Sequence, residues 1–443
     1  MFYDAGVKIY IESLGCAKNQ VDSEILLSYA IENGYERCLD VTEADVIVVN
    51  TCGFIESAKK ESIDAFFSLH DQNPKARIIL AGCLAERYGR DMDLEEADAI
   101  FGNKDLSLFP NVLNGSERIL IPQTYPDPDK ERDDRKELFS YPGSAYLKIS
   151  EGCNHRCSYC AIPVIRGDLR SRPMDKVIKE AERLIASGVY EINIVAQDLG
   201  AYGTDNGQPS QFVALMDKLS SLEGDFVLRM LYIHPDTFPE GLIELCKERK
   251  NILPYFDIPF QHADEKVLRA MRRTGNPEIY LSLIERIRTA MPDAVIRTTL
   301  MLGFPGEDKK AFDTLMDFTA KAQFDWMGSF LYSREEDTPA FDMRDEEEHE
   351  KAHNKAKRWQ KELEKLQEGI TQKRLERYVG HEYTALIEET IEGEDLAIGR
   401  IYAEAPDVDG LTVIMGRGMK SGDRVRVGIT RTRGVDLEGV LID

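Results

Sequence analysis

Along the first hundred or so residues, short apolar runs alternate with amphipathic stretches of helical period. The runs VKIYIESL, ADVIVVNT, ARIILAG and DAIFG are nearly continuous in Val, Ile and Leu, and VDSEILLSYAIENG and ESAKKESIDAFFSLH lie between them. Strands apolar on both faces need helices on both sides, so the alternation predicts a small doubly wound parallel α/β domain over residues 1–121. Residues 122–145, PQTYPDPDKERDDRKELFSYPGSA, are rich in proline and charge, lack periodicity and read as a linker. A longer β/α alternation follows, with strands expected at AYLKIS, EINIVAQ, FVLRML, YFDIPF, AVIRTTLML and FDWMGSFLY. Six strands, each followed by a helical pattern, predict an incomplete β/α barrel whose ligands bind at the C-terminal strand ends.

Within 346–378, Ala352, Ala356, Trp359, Leu363, Leu366 and Ile370 recur at spacings of four and three. That is a polar helix with one narrow apolar stripe, expected to pack on the barrel and to close a unit spanning 146–378. Over 379–443, EYTALIEE, AIGRIYAEA, LTVIM, DRVRVGITRTRG and LEGVLID are short strands between Gly and Asp turns, the pattern of a small five-stranded all-β barrel of the oligonucleotide-binding sort.

Composition narrows the function. No apolar run is long enough to span a bilayer, and MFYDAGVKIYIESLG lacks the basic and uninterrupted apolar regions of a secretory signal, so a cytoplasmic location without membrane attachment is expected. Lys and Arg number 56 against 79 Asp and Glu, a formal net charge of −23. Such a surface repels phosphate backbones unless a local basic patch overrides it, and favours a basic protein partner. The eight cysteines, at 16, 38, 52, 83, 153, 157, 160 and 246, point to metal or redox chemistry in a compartment that keeps thiols reduced.

Three of them are clustered. SEGCNHRCSYCAIPVIRG carries Cys153, Cys157 and Cys160 in C-x3-C-x2-C spacing directly after the first barrel strand. A tight loop lets three thiolates converge on one face of an iron–sulfur cube and leaves one iron open for chemistry. The competing reading is a zinc site with His155 as fourth ligand; structural zinc prefers four protein ligands, but His155 lies too close in the loop to complete a tetrahedron comfortably.

The other cysteines look scattered, and Cys16 alone fits either a spare thiol or a ligand awaiting distant partners. Yet ESLGCAKN, VVNTCGFI and ILAGCLAE place Cys16, Cys52 and Cys83 at equivalent ends of three successive strands. In a parallel sheet those ends open onto one edge, where ligands bind. Helix N-termini aimed at that edge are expected to lower the thiol pKa values. Cys38 and Cys246 have no such companions and read as ordinary buried or partly exposed thiols.

The triplet and the partial barrel resemble the radical S-adenosylmethionine superfamily, and the whole chain resembles its methylthiotransferase family. The resemblance implies that Cys153, Cys157 and Cys160 hold a 4Fe–4S cluster whose open iron chelates S-adenosylmethionine, cleaved by one electron to a hydrogen-abstracting radical. It implies that Cys16, Cys52 and Cys83 hold an auxiliary 4Fe–4S cluster carrying the sulfur to be inserted, and that residues 379–443 are a TRAM domain. Tyr159, before the third cysteine, would pack against the cofactor's adenine side or serve as a core aromatic. Gln197, Asp198 and Arg297, at or near strand ends, would contact S-adenosylmethionine or serve as structural polar groups. His234, Gln261 and His262 are weaker candidates for orienting substrate, Lys266 to Arg273 reads as a solvated basic face, and GFPGE as tight-turn chemistry.

CAIPVIRGDLRSR, LRMLYIHPDTFP, FDIPFQHADEKVLRAMRRTG, RTTLMLGFPGE and YSREEDTPA resemble the branch that modifies an aspartate of the basic twelfth protein of the small ribosomal subunit. That branch implies this protein as substrate and an electron donor such as flavodoxin or ferredoxin. The alternative branch acts on transfer-RNA adenosine, and a non-catalytic electron-transfer or scaffold role is the third reading. From residue 380 onward seven Lys and Arg stand against thirteen Asp and Glu, so RNA binding is not expected or is indirect.

Overall fold

The computed structural model describes residues 6–127 and 132–442, so the chain ends and part of the expected linker lie outside the described residues. The N-terminal sheet has six parallel strands in the order Tyr35–Arg37, Val7–Ser13, Val46–Thr51, Arg77–Gly82, Ala99–Phe101, Ile119–Leu120. Val46–Thr51 is buried along its whole length, as its unbroken apolar run requires. Helix Ala17–Glu32 covers one face through Leu26 and Leu27, and helix Glu56–Gln72 covers the other through Phe66 and Leu69. The two outermost strands escape the hydrophobic pattern because they are only three and two residues long and lie partly open.

The second sheet is also all parallel and takes its six strands in chain order: Ser144–Lys148, Glu191–Val195, Val227–Leu231, Ile252–Asp257, Val295–Leu302, Trp326–Leu331. It curves without closing, as expected of an incomplete barrel. Alternate residues divide cleanly between its two faces. Leu147, Ile194, Met230, Phe256 and Ile296 face the helices, whereas Tyr146, Val195, Leu231, Tyr255, Val295 and Trp326 form the other core. Helix Glu346–Leu375 packs on the last strand through the anticipated stripe, with Trp359 stacked on Phe312 at 4.8 Å.

The C-terminal module is a closed five-stranded barrel of Glu382–Thr390, Leu396–Arg400, Thr412–Met415, Arg424–Arg433 and Asp436–Ile442. One expected strand is shorter than its pattern. AIGRIYAEA is strand only to Arg400, and Ile401, Ala403 and Ala405 instead join the core beneath Tyr146, Tyr255 and Trp326 of the large barrel. The Trp326 indole donates to the Ala403 carbonyl at 2.7 Å, and Arg229 donates to the Tyr402 carbonyl at 2.8 Å. The small barrel thus fills the lower concave face of the large one and leaves the C-terminal strand ends for chemistry.

Candidate functional site

Cys16, Cys52 and Cys83 follow three adjacent strands, Val7–Ser13, Val46–Thr51 and Arg77–Gly82. The register aligns Ser13 with Asn50 and Thr51 with Gly82, so all three turns leave the sheet at one level. This is also where the strand order reverses, the usual ligand crevice of an open α/β sheet. Glycines permit the close approach. A Cβ on Gly15, whose φ is +90°, would come within 2.9 Å of the Cys52 Cβ, and one on Gly53 within 2.8 Å of the Cys83 backbone.

Burial overrides the expected helix effect on these thiols. It raises the pKa of Cys52 and pushes Cys83 up to about 12, each further raised by the charge of Cys16. At Cys16 burial also acts upward, but Lys18 and Arg166 outweigh it and the pKa falls. Cys16 keeps accessible surface although its neighbours are dense, as a residue lining a cleft does. Cys38 and Cys246 are buried core thiols, as anticipated.

The second triplet sits on a loop pinned from several sides. Cys153 N–H donates to the Gly167 carbonyl at 3.1 Å, Cys160 N–H to the Cys157 carbonyl at 3.1 Å, and Ser158 N–H to the Met271 carbonyl at 3.1 Å. His155 does not face a fourth-ligand role. Its Nε2 lies 2.7 Å from Asp198 Oδ2, and its ring stacks on His234 at 3.9 Å and 10°. Asp198 is buried and also accepts from the backbone of Gly200 and His234 at 2.9 Å each and from the Thr237 hydroxyl at 2.7 Å. Among the described residues, no three His, Cys, Asp or Glu side chains form a compact site for one metal ion. A cube differs from a single ion in presenting a separate iron to each thiolate.

Arg166, six residues after Cys160, reaches the first cysteine set at Cys83. It follows helix Ile162–Ile165, five residues after Ala161, and its guanidinium is almost wholly enclosed at the seam between the domains. Nη2 donates to Cys83 Sγ and to Asn19 Oδ1, both at 3.1 Å, and Nη1 pairs with Asp22 and Glu151, both at 2.9 Å. Cys83 packs there with Phe54, Ala161 and Ile165, and Asn103 donates to its sulfur at 3.3 Å. Lys18 crosses the same seam to lie over the Tyr232 ring, 4.2 Å from its centroid, and donates to the Ala196 carbonyl at 3.4 Å. The sheet edge bearing the first triplet therefore lies against the C-terminal strand ends bearing the second.

Around that mouth, His234 Nε2, Gln197 Oε1 and Arg273 Nε are buried without a partner. Buried polar atoms are normally satisfied, so this trio fits a polar cofactor beside the cysteine loop. Gln197 is held by its Nε2, which donates to Glu151 at 2.8 Å. Tyr159 lies edge-on to Phe304 and accepts from Arg273 at 3.4 Å. Arg297 is engaged lower down, donating to Asp257 at 3.1 Å and to Asp409 of the small barrel at 3.3 Å. His262 is fully buried and paired with Glu307 at 3.2 Å, while Gln261 bridges to Leu300 with φ +67°.

Arg273 corrects the reading of Lys266 to Arg273 as a solvated face. Its side chain is 2 % exposed and donates to the Pro259 carbonyl at 2.7 Å, because the chain turns inward after helix Glu265–Ala270. Sequence reasoning also missed Arg166, Asn19, Lys18 and Glu151 as parts of the site. The position of Arg166 inside the otherwise apolar AIPVIRG was the one available signal.

Comparison with known proteins matches three family models in series. They are Uncharacterized protein family UPF0004 at residues 8–102, the Radical SAM superfamily at 147–319 and the TRAM domain at 379–442. A Treponema denticola protein named ribosomal protein uS12 methylthiotransferase RimO is 39% identical, covering 97% of this chain and 99% of its own. Proteins of the same name from Thermotoga maritima and Desulfosudis oleivorans are 39% and 40% identical over 98% of this chain and 100% and 99% of theirs. Among solved structures, the radical S-adenosylmethionine methyltransferase TsrM from Kitasatospora setae matches with a TM-score of 0.55 at 14% identity, covering 76% of this chain and 77% of that one. That likeness concerns the fold alone.

Proposed function

The chain belongs to the RimO methylthiotransferase family, and from that premise we propose that it inserts a methylthio group at the β-carbon of an aspartate in ribosomal protein uS12. The observation that supports the reading is that Cys83 of the first triplet packs against Ala161, which follows the second triplet, and accepts from Arg166.

Membership of the radical SAM superfamily implies one 4Fe–4S cluster and S-adenosylmethionine. We assign Cys153, Cys157 and Cys160 to that cluster and Cys16, Cys52 and Cys83 to a second. When bound, these groups supply the hydrogen-abstracting radical, the methyl group and the sulfur. The chain's own residues hold and orient. Asp198 fixes the cysteine loop through His155, and Gln197 and Tyr159 would hold S-adenosylmethionine, the one through its unpartnered carbonyl oxygen and the other through its ring. Arg297 acts from below, keeping the mouth in shape through Asp257 and Asp409. Lys18 and Arg166 hold the two domains together across the seam.

Charge supports a protein substrate over RNA. Arg417, Arg424 and Arg426 pair with Asp395, Asp225 and Glu382, and Arg431 and Arg433 share Glu438. Exposed pairs add little stability, but each cancels the field that would draw a phosphate backbone. A flavodoxin- or ferredoxin-type carrier fits as electron donor, and the cytoplasm as the place of action. Among the described residues no helix is long and apolar enough to cross a membrane. The test is anaerobic turnover of the reconstituted chain with uS12 and S-adenosylmethionine. The expected result is an intact-mass gain of one methylthio group on uS12. Unchanged uS12, with methylthiolated adenosine appearing in added transfer RNA, would overturn the substrate assignment.

A further inference from the structure

A cavity of about 70 Å³ lies between helix Ala17–Glu32, the 103–107 loop, the segment around Arg132 and Arg135, and the first strand of the large barrel. A single water needs roughly 10–15 Å³, so the space suits a few waters or one small ion. Among the described residues its wall carries six Lys and Arg against four Asp and Glu, the reverse of the balance in the whole chain.

Three of these acids are already engaged with cations, and the fourth, Asp105, caps the following turn by accepting from Ser107. Glu180 holds Arg135 at 2.8 Å and Arg172 at 2.7 Å, while Asp22 and Glu151 hold Lys148 and Arg166. Hydrogen-bond donors are left over. Among the described residues, Arg135 Nε, Arg170 Nε, Arg172 Nη2 and Ser150 Oγ are buried without a partner, and Ser150 and Arg172 are 0 % and 7 % exposed. Arg170 lies 3.4 Å from the Tyr125 ring centroid and uses Nη1 on the carbonyls of Arg166 and Asp168; among the described residues it meets no carboxylate. Arg135 and Arg172 share their charge with Glu24 and Glu180, so the uncompensated charge is that of Arg170, and beside the other unpartnered donors it favours an acceptor carrying negative charge.

We propose that this cavity binds a small inorganic oxyanion of sulfate or phosphate size, held by Arg135, Arg170, Arg172 and Ser150. The site is separate from the cysteine loop and needs neither cluster. The anion ties the segment around Arg135 to the loop that follows the first barrel strand, in a wall that helix Ala17–Glu32 also lines. Its occupation stiffens the seam on which both triplets depend.

The full-length chain, with and without reconstituted iron, is dialysed free of oxyanions and titrated with sodium sulfate and sodium phosphate at constant ionic strength, by calorimetry and thermal melting. Saturable binding of one anion per chain is expected, with a rise in melting temperature. Ser150→Ala and Arg170→Gln should weaken it at least tenfold while leaving the circular dichroism spectrum unchanged, and Lys361→Gln on the exposed face of the long helix should not alter it. A rise that never saturates, or is equal in Ser150→Ala and the parent, overturns the proposal in favour of a general salt effect. So does a sulfate-soaked crystal with only waters in the cavity.

Discussion

Cys16 and Arg166 are the two residues on which the site turns, and the chain discloses them very differently. Cys16 is ambiguous in SLGC alone, but counting strand ends groups it with Cys52 and Cys83, and the register places those ends together. Arg166 carries no such pattern. Its partners lie 83 and 147 residues away, so only the docking of two domains reveals its role. Two predictions follow at this scale. Cys16→Ala should halve the iron bound after anaerobic reconstitution and abolish methylthiolation, while cleavage of S-adenosylmethionine persists; full iron content would show that the three cysteines are not one ligand set. Arg166→Met leaves Asp22 and Glu151 to share Lys148, and breaking such a buried pair costs about 3–5 kcal/mol. Urea unfolding of the iron-free variant should show a loss of that order, and a loss under about 1 kcal/mol would mean the seam relaxes without it.

At the scale of elements, alternation in a sequence reports that every second residue is buried and says nothing of what buries it. The six barrel strands were legible because helices cover one face of each in the expected β/α order. AIGRIYAEA alternates equally well, yet Ile401, Ala403 and Ala405 are buried by another domain and the ladder stops at Arg400. The cysteine loop offers the converse case. Its spacing marks a cluster, but nothing local shows that His155 is taken up by Asp198 and His234. Asp198→Ala removes the acceptor for two backbone N–H groups, the Thr237 hydroxyl and His155, each loss costing about 1–3 kcal/mol where the donor stays buried. The variant should lose the iron of the Cys153 cluster selectively, seen as a halved iron content and loss of S-adenosylmethionine cleavage. Asp198→Asn, which keeps an acceptor, should restore part of both; retention of full iron by Asp198→Ala would remove Asp198 from the loop's support.

For the whole molecule, the joint between the two barrels ties stability to pH through two buried acids with opposite behaviour. Arg400 of the small barrel pairs with Glu191 of the large one at 2.6 Å and donates to the Glu404 carbonyl at 3.0 Å. Burial opposes ionisation of Glu191, but Arg400 and Arg229 outweigh it and hold its pKa down at about 2. Its contribution is therefore present above the ordinary value of 4.5 and is lost as pH falls toward 2. Glu404 is fully buried, and that burial raises its pKa from 4.5 to about 8 despite donations from Ile401 N–H and the Thr412 hydroxyl. The folded chain then keeps a proton that the unfolded chain releases, so this contribution is complete below 4.5 and is lost as pH rises to about 8. The slope is on the order of 1.4 kcal/mol per pH unit across that window. Glu404→Gln cannot ionise and should flatten the decline, becoming more stable relative to the parent at pH 8 than at pH 5 in urea unfolding of the iron-free chains. Parallel pH profiles for variant and parent would mean that Glu404 is already ionised in the folded joint.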